Sequence, residues 1–374
     1  MKVTTNILIT GAKGFMGKNL LVRLNELDKY AVYEYDKNQS YDDLLCILPK
    51  VDMIFHLAGV NRPEDPNEFD KVNSGLTEKM LDSLEEMDHY PIIVLSSSIQ
   101  AEMDNDYGRS KKSAENLLNN FCKKNNSEAI IYRLTNVFGK WSKPNYNSVV
   151  STFCHNISRD LPIQISDKST DLKIVYIDDI INSFIDIIEN NAAMKGTRYK
   201  EIGAEYRISL GDLADMIYSF KESRETLVLQ DYSNELVKKM YATYVSYLPS
   251  GDFKYKPPNK EDERGTLTEL IKSEHFGQIF VSTTKKGITR GNHYHHTKVE
   301  KFIVIKGSAV INFRQIQSDK VISYGVNGDN IEIVDIPTGY THEITNVGEE
   351  ELVVLFWSDE VFDKSNPDTV FLKV

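Results

Sequence analysis

The 374-residue chain reads as an α/β unit built on a parallel sheet, followed by an all-β unit folded as a small barrel. Three observations predict this. A strand, a glycine turn and an amphipathic helix follow one another between Asn6 and Leu27. A Tyr-x-x-x-Lys opens a helix soon after a strand that ends in three serines. Far downstream, three histidines and a glutamate stand inside a glycine-bounded pattern.

The length suffices for two domains, each with its own core. A net charge of −11 and a pI near 5.3 argue against nucleic acid as a partner. A phosphate-bearing small substrate would then need a local cationic pocket. Cys46, Cys122 and Cys154 show no metal or redox spacing and read as thiols of a reducing compartment. The opening MKVTTNILITG runs into a strand without an apolar leader core, and no apolar run reaches membrane-spanning length. The expectation is a soluble cytoplasmic protein with no membrane partner.

Asn6 to Thr10 is a short buried strand feeding Gly11-Ala-Lys13-Gly14-Phe15-Met-Gly17, and then a helix with Leu20, Leu21, Leu24 and Leu27 on one face. Strand, turn and helix make a phosphate cradle, because free backbone N–H groups and the helix dipole both favour an anion. This predicts dinucleotide binding through Gly11, Lys13, Gly14, Phe15 and Gly17. The next strand, Ala31 to Tyr35, ends at Asp36-Lys37. An acid there binds a ribose 2′-hydroxyl and favours NAD, whereas a cation accepts the 2′-phosphate of NADP. Both are present, so cofactor choice stays open at this point; a solvated loop pair is the lesser reading.

Met53 to Gly59 is the third buried strand. Its small-residue end, Leu57-Ala58-Gly59, lets a cofactor lie against the sheet edge. Ile92 to Ser98 is the fourth. Tyr107 and Lys111, at i and i+4, share a helix face. The lysine is expected to lower the tyrosine pKa and hold the nicotinamide ribose. Tyr107 then exchanges a proton with a carbonyl oxygen that a serine hydroxyl orients.

These residues resemble the extended short-chain dehydrogenase/reductases that act on nucleotide sugars. The match covers Thr10 to Gly17, His56 to Gly59, Ser98, Tyr107, Lys111, Arg133 to Gly139 and Tyr176 to Asp179. The resemblance implies a Rossmann-type fold and selects Ser98, over Ser96 and Ser97, to join Tyr107 and Lys111 in catalysis. It implies a sugar-nucleotide pocket around Asn136 and the stretch from Lys140 to Phe153. Arg133, Lys140 and Lys143 supply cations for a diphosphate or are surface charges.

From Ser209 to Tyr247 the pattern turns helical, the C-terminal lobe of a reductase domain spanning 1–247. Residues 248–259, rich in turn formers, read as a linker, and 260–374 as the barrel domain. The run from Gly287 to Gly307 places His293 and His295 two apart, on one face of a strand, with Glu300 after a short polar turn. Pro337 to His342 follows, with Asn346 behind it. These runs resemble the two halves of the cupin (jelly-roll) signature. Ile331 stands where the second half has its leading glycine, and the nearest glycine is Gly328. His293, His295, Glu300 and His342 are the expected ligands of one divalent metal. Imidazole and carboxylate suit zinc, iron, manganese or nickel, with zinc the first choice. Asp262 to Glu269 and Arg290 to Tyr294 resemble deoxysugar 3,5-epimerases, which adds Arg264 and Glu269 as substrate contacts. In that family the histidine matching His293 is the proton-abstracting base. His293 thus has two readings, and ligand is preferred because the other three complete a set.

Over its whole length, through HLAGVNRPE, LSSSIQA, FGKW, KPNYNSV, GNHYHHTK, DIPTGYTH and the closing Asn366 to Leu372, the chain resembles the CapF-type family of bifunctional capsular polysaccharide enzymes. The resemblance implies a homodimer and a UDP-linked 4-keto-6-deoxy-N-acetylhexosamine substrate. The cupin would epimerise C3. The reductase would reduce the C4 ketone with NADPH, NADH being the alternative, to UDP-N-acetyl-6-deoxy-L-talosamine on the way to UDP-N-acetyl-L-fucosamine. The order has its own logic: the C3 proton is acidic only while C4 is a ketone. His296, Lys298 and Tyr340 are candidates for the base at C3. The competing readings are a C4 reductase with a structural or dimerising cupin, a sugar-sensing protein with an inactive reductase fold, and a cupin dioxygenase.

Overall fold

The computed structural model of the chain describes residues 5–60, 73–190, 195–257, 259–262, 265–268, 271, 277–360 and 365–374. Two compact units emerge: Met1–Val137 with Lys173–Arg207, and Phe138–Leu172 with Ile208–Val374.

The first unit is organised by a six-stranded parallel sheet. Its strands are β1 (Thr5–Thr10), β2 (Tyr30–Tyr35), β3 (Met53–His56), β4 (Ile92–Ser98), β5 (Glu128–Leu134) and Gly196–Tyr199, in the order β2-β1-β3-β4-β5 and then Gly196–Tyr199. Helices cover a parallel sheet on both faces, so its central strands read as unbroken apolar runs. Ile7, Leu8, Ile9, Ile54, Phe55, Ile93 and Val94 are accordingly buried. The strand order reverses between β1 and β3, and ligands bind outside the carboxyl ends of strands at such a point. The register aligns Thr10 with both Tyr35 and His56. Gly11, Asp36 and Leu57 therefore leave the sheet along one edge.

In the second unit two five-stranded antiparallel sheets enclose a core that includes Ile303, Ile311, Phe313, Ile336 and Trp357. One sheet orders Lys254–Tyr255, Ile333–Ile336, Glu300–Lys306, Leu352–Ser358 and Gln278–Thr284. The other orders Val321–Asn327, Ser308–Gln315, Tyr340–Asn346, Thr289–Tyr294 and Val370–Phe371. Within 248–259, Tyr255 pairs with Ile333, and Phe253 is fully buried. The helices Val149–Ile157, Leu210–Thr226 and Glu235–Ser246 belong to the same unit. Arg224 of the second helix is paired with Asp335, which also holds Lys301 at 2.5 Å. Lys301 and Asp335 are each 1% exposed, so each charge is stabilised by the other.

Two residues of this unit are architectural. Asn346 donates to Thr284 O and Glu350 O and accepts from Gly348 N, tying one hairpin end together. Gly328 donates to Gly307 O, and a Cβ at Gly328 would sit 2.7 Å from Ile305 backbone atoms.

Candidate functional site

The glycine turn owes its shape to close backbone approach. Gly11 has φ of +71°, and a Cβ there would lie 2.8 Å from the Ala58 backbone. A Cβ on Gly17 would lie 2.2 Å from Gly11 O. The helix Phe15–Leu27 begins at Gly14 with no side-chain cap, which leaves its first-turn N–H groups to an anion. Lys13 and Gly14 are exposed at this turn and Phe15 is half-buried. Asp36 braces the turn by accepting from Lys13 N at 2.8 Å, and it also accepts from Lys37 N.

At the end of β3, His56 is buried between Thr10 Oγ1 and Thr77 Oγ1, at 2.8 and 2.9 Å. Burial, helped by the Lys111 charge, pushes its pKa down to about 3, so it is a neutral architectural residue. Beyond it, the loop Leu57-Ala58-Gly59 is held by Asn73, which exchanges hydrogen bonds with Val60 N and O and donates to Ser110 Oγ. No motif in the sequence marks Asn73.

β4 delivers its three serines to different partners. Ser96 donates to His56 O, and Ser97 donates to Glu115 at 2.7 Å. Ser98 is hydrogen-bonded to Tyr107. The helix Asp106–Asn125 is capped by Asn105, which accepts from Gly108 N, and this sets Tyr107 in its first turn. Lys111 Nζ donates to Ser96 O at 2.9 Å and lies 5.8 Å from the Tyr107 ring centre. Ser98, Tyr107 and Lys111 thus converge. The expected lowering of the Tyr107 pKa does not hold in this geometry: burial pushes the phenol up from 10, opposed by the Ser98 hydrogen bond. Lys111 is itself pushed down to about 8 by burial, with Glu115 opposing.

Of the expected sugar contacts, Arg133 is committed elsewhere. It donates to Glu115 at 2.9 and 2.7 Å, pairs with Glu102 and lies over Tyr199. Asn136 is exposed and donates to Lys173 O. Both belong to the first unit, and Lys140 and Lys143 to the second. Lys140 is buried beside Trp141, and exposed Lys143 lies over Tyr146. Arg264 and Glu269 lie outside the described residues.

In the second unit His293, His295, Glu300 and His342 converge, their ligand atoms all within 4.8 Å of one another. His293 pairs across the sheet with His342, next to a bulge at Gly291 and Asn292, both with positive φ. A bulge re-aims the side chain beside it. Glu300 enters from the facing sheet. Its Oε2 lies 3.3 Å from His295 Nε2 and 3.7 Å from His342 Nε2. Those two imidazole nitrogens are buried and have no hydrogen-bond partner among the described residues. Their Nδ1 atoms are engaged by backbone oxygens, of Asp368 for His295 and of Tyr340 for His342. This tautomer leaves each Nε2 lone pair free inside the cluster. Orphaned buried nitrogens facing a carboxylate fit a divalent cation. Lys298 Nζ, 3.2 Å from Glu300 Oε1, holds the other carboxylate oxygen. Burial alone would raise the Glu300 pKa, but His295, Lys298 and His342 hold it well below the usual range. Burial also lowers the pKa of His293 and His342, favouring the neutral imidazoles that a metal needs.

A dinucleotide cradle at a strand-order switch and a Ser-Tyr-Lys trio define the first unit as a nicotinamide-dependent enzyme fold. A family model described as the NAD dependent epimerase/dehydratase family matches residues 7–203, and the chain belongs to that family. A second model, the polysaccharide biosynthesis C-terminal domain, matches residues 260–370. The chain is CapF-like: it is 42% identical to the crystallised capsular polysaccharide assembling protein CapF of Staphylococcus aureus, covering 99% of this chain and 100% of that one with a TM-score of 0.66. It is 44% identical to the UDP-2-acetamido-2,6-beta-L-arabino-hexul-4-ose reductase of Pseudomonas aeruginosa over 97% of each. The spore coat polysaccharide biosynthesis protein SpsL of Bacillus subtilis is 26% identical over 29% of this chain and 78% of its own length.

Proposed function

We propose that the chain is a bifunctional nucleotide-sugar enzyme of capsular or other surface polysaccharide synthesis. Its reductase part, 1–247, joins through 248–259 to a cupin part, 260–374. The substrate is a UDP-linked 2-acetamido-4-keto-2,6-dideoxyhexose. The cupin part inverts C3, and the reductase part then reduces the C4 ketone. The product is UDP-N-acetyl-6-deoxy-L-talosamine, the precursor of UDP-N-acetyl-L-fucosamine. The observation that carries this reading is the presence of two assembled sites in one chain: Ser98 bonded to Tyr107 above Lys111, and three imidazoles around Glu300.

NADPH, or NADH in its place, supplies the hydride when bound along Gly11, Lys13, Gly14, Phe15, Gly17, Asp36, Lys37 and Leu57 to Gly59. Ser98 orients the C4 oxygen, Tyr107 protonates it, and the Lys111 charge steadies the developing phenolate. A divalent cation, zinc first, held by His293, His295, Glu300 and His342, supplies Lewis-acid polarisation of the sugar oxygens. His296, Lys298 and Tyr340 are the proposed candidates for moving the C3 proton, and reduction afterwards removes the acidity that makes the inversion possible. Asn136, Lys140 and Lys143 are proposed sugar-nucleotide contacts, with Arg264 and Glu269 in the cupin part. Arg133 acts through its hold on Glu115. The protein is proposed to work in the cytoplasm as a homodimer. Ile279, Phe280 and Val281 support pairing, as three consecutive apolar residues exposed on the strand at one sheet edge.

A second reading is reduction alone, with the cupin as a structural or dimerising module. It is favoured by the name of the P. aeruginosa relative, which speaks of reduction only. His342→Ala separates the two. The bifunctional enzyme then yields a C4-reduced sugar with C3 unchanged. An unaltered product from a variant that merely melts lower supports the second reading.

A further inference from the structure

The tail Ser365–Val374 returns to the metal-binding strands. Val370 and Phe371 pair with Tyr294 and His293, and Leu372 N donates to Asn292 O. Within it Asp368 does more than close a sheet. Its backbone oxygen engages His295 Nδ1. Its carboxylate Oδ1 accepts from His296 N at 2.9 Å, and Oδ2 accepts from Thr297 N and Lys298 N, each at 2.7 Å, and from Thr297 Oγ1 at 2.9 Å. Three consecutive backbone N–H groups thus end on one carboxylate, in the turn that joins His295 to Glu300. Only four residues separate those two ligands, so the shape of this turn sets the 3.3 Å between His295 Nε2 and Glu300 Oε2. The same turn presents Lys298, whose Nζ reaches Glu300 Oε1 and lies 3.4 Å from Thr369 Oγ1.

We infer that Asp368 is a positioning residue of the metal site: its carboxylate fixes the 296–298 turn, and its backbone oxygen fixes the His295 tautomer, so that both ligands are preorganised for a divalent cation. This rests on the metal reading given above. It assigns a role to the closing Asn366-Pro-Asp-Thr motif that neither proposed activity uses. An outer partner that orients a ligand typically changes metal affinity about 10- to 100-fold.

The test is zinc affinity of the full chain, by competition with a chromophoric chelator, for wild type, Asp368→Asn and Asp368→Ala. Melting of each metal-free protein is measured alongside. Asn preserves one acceptor oxygen and the size of the side chain, so it separates loss of metal positioning from failure to fold. The expected result is binding weakened about tenfold or more in Asp368→Ala and by less in Asp368→Asn, with the metal-free melting of Asp368→Asn close to wild type. Wild-type affinity in both variants overturns the role of Asp368 and leaves the metal site standing. No zinc binding by wild type overturns the metal reading, and this role with it. A loss of affinity matched by an equal loss of metal-free stability in both variants makes Asp368 a fold residue and also overturns the inference.

Discussion

His295 Nε2, one residue past the strand Thr289–Tyr294, lies 3.3 Å from Glu300 Oε2. The histidine nitrogen has no hydrogen-bond partner among the described residues, although it is buried. A buried group left so is costly unless something occupies the space. Glu300→Gln is therefore expected to weaken zinc binding on the order of a hundredfold or more, since it removes the only anionic ligand of the set. Chelator treatment of wild type should lower its melting temperature and leave that of Glu300→Gln nearly unmoved. Calorimetry with and without chelator checks both; equal chelator effects would count against the site.

On the proposed reading, Ser98 and Tyr107 carry the chemistry of the first unit, the serine hydroxyl bonding the phenol. Tyr107→Phe keeps the ring and removes the proton donor. It should lower kcat for ketone reduction about 10²- to 10⁴-fold with little change in KM. Steady-state oxidation of NADPH with the UDP-4-ketosugar reads this directly. Unchanged turnover would point to a sugar-binding protein whose reductase fold is idle.

Burial sets the pKa of Lys111 at about 8, below its ordinary 10.5. Between those values the unfolded chain binds a proton that the folded chain does not, so this group makes stability rise with pH there. Activity runs the other way, because Lys111 is charged only below about 8. The rate of reduction should fall as pH rises through that value. A kcat/KM profile from about pH 6 to 10 reports it, and a profile flat to the alkaline end would remove Lys111 from the mechanism.

Asp359 has the opposite shift. Burial, opposed by the Lys238 charge, raises its carboxyl from 3.8 to about 7, and it accepts from Val299 N. Between those values the folded state holds a proton that the unfolded state has lost, so its contribution to stability falls as pH rises across the window. Asp359→Asn keeps the acceptor and removes the charge. It should flatten this fall and exceed wild type in stability above pH 7. Denaturant midpoints across that range decide it, and a wild-type slope in the variant would contradict the assignment.

Much of this was legible because local chemistry demanded it. Gly11 and Gly17 are required by backbone approach, and the apolar runs of β1, β3 and β4 by burial on both faces. The spacing of His293, His295 and Glu300 follows from strand and turn geometry. Arg133 was not legible as an internal ion pair, because its partner Glu115 stands on another element, distant in sequence. The Tyr107 pKa departs from the motif's expectation for a related reason: a motif shows the lysine, whereas the burial that raises the phenol is tertiary. Asp368 and Asn73 were invisible as site residues, since each acts by bonding backbone groups that have no sequence signature.

Inversion at C3 and reduction at C4 by one chain is the proposal on which the rest depends. It is tested most directly by NMR of the product formed from the UDP-4-keto-6-deoxy-N-acetylhexosamine with NADPH in heavy water, against an enzyme-free control. The expected product is a C4-reduced, C3-inverted sugar carrying deuterium at C3. A reduced sugar with C3 uninverted and free of deuterium would contradict it and leave a reductase with a structural barrel.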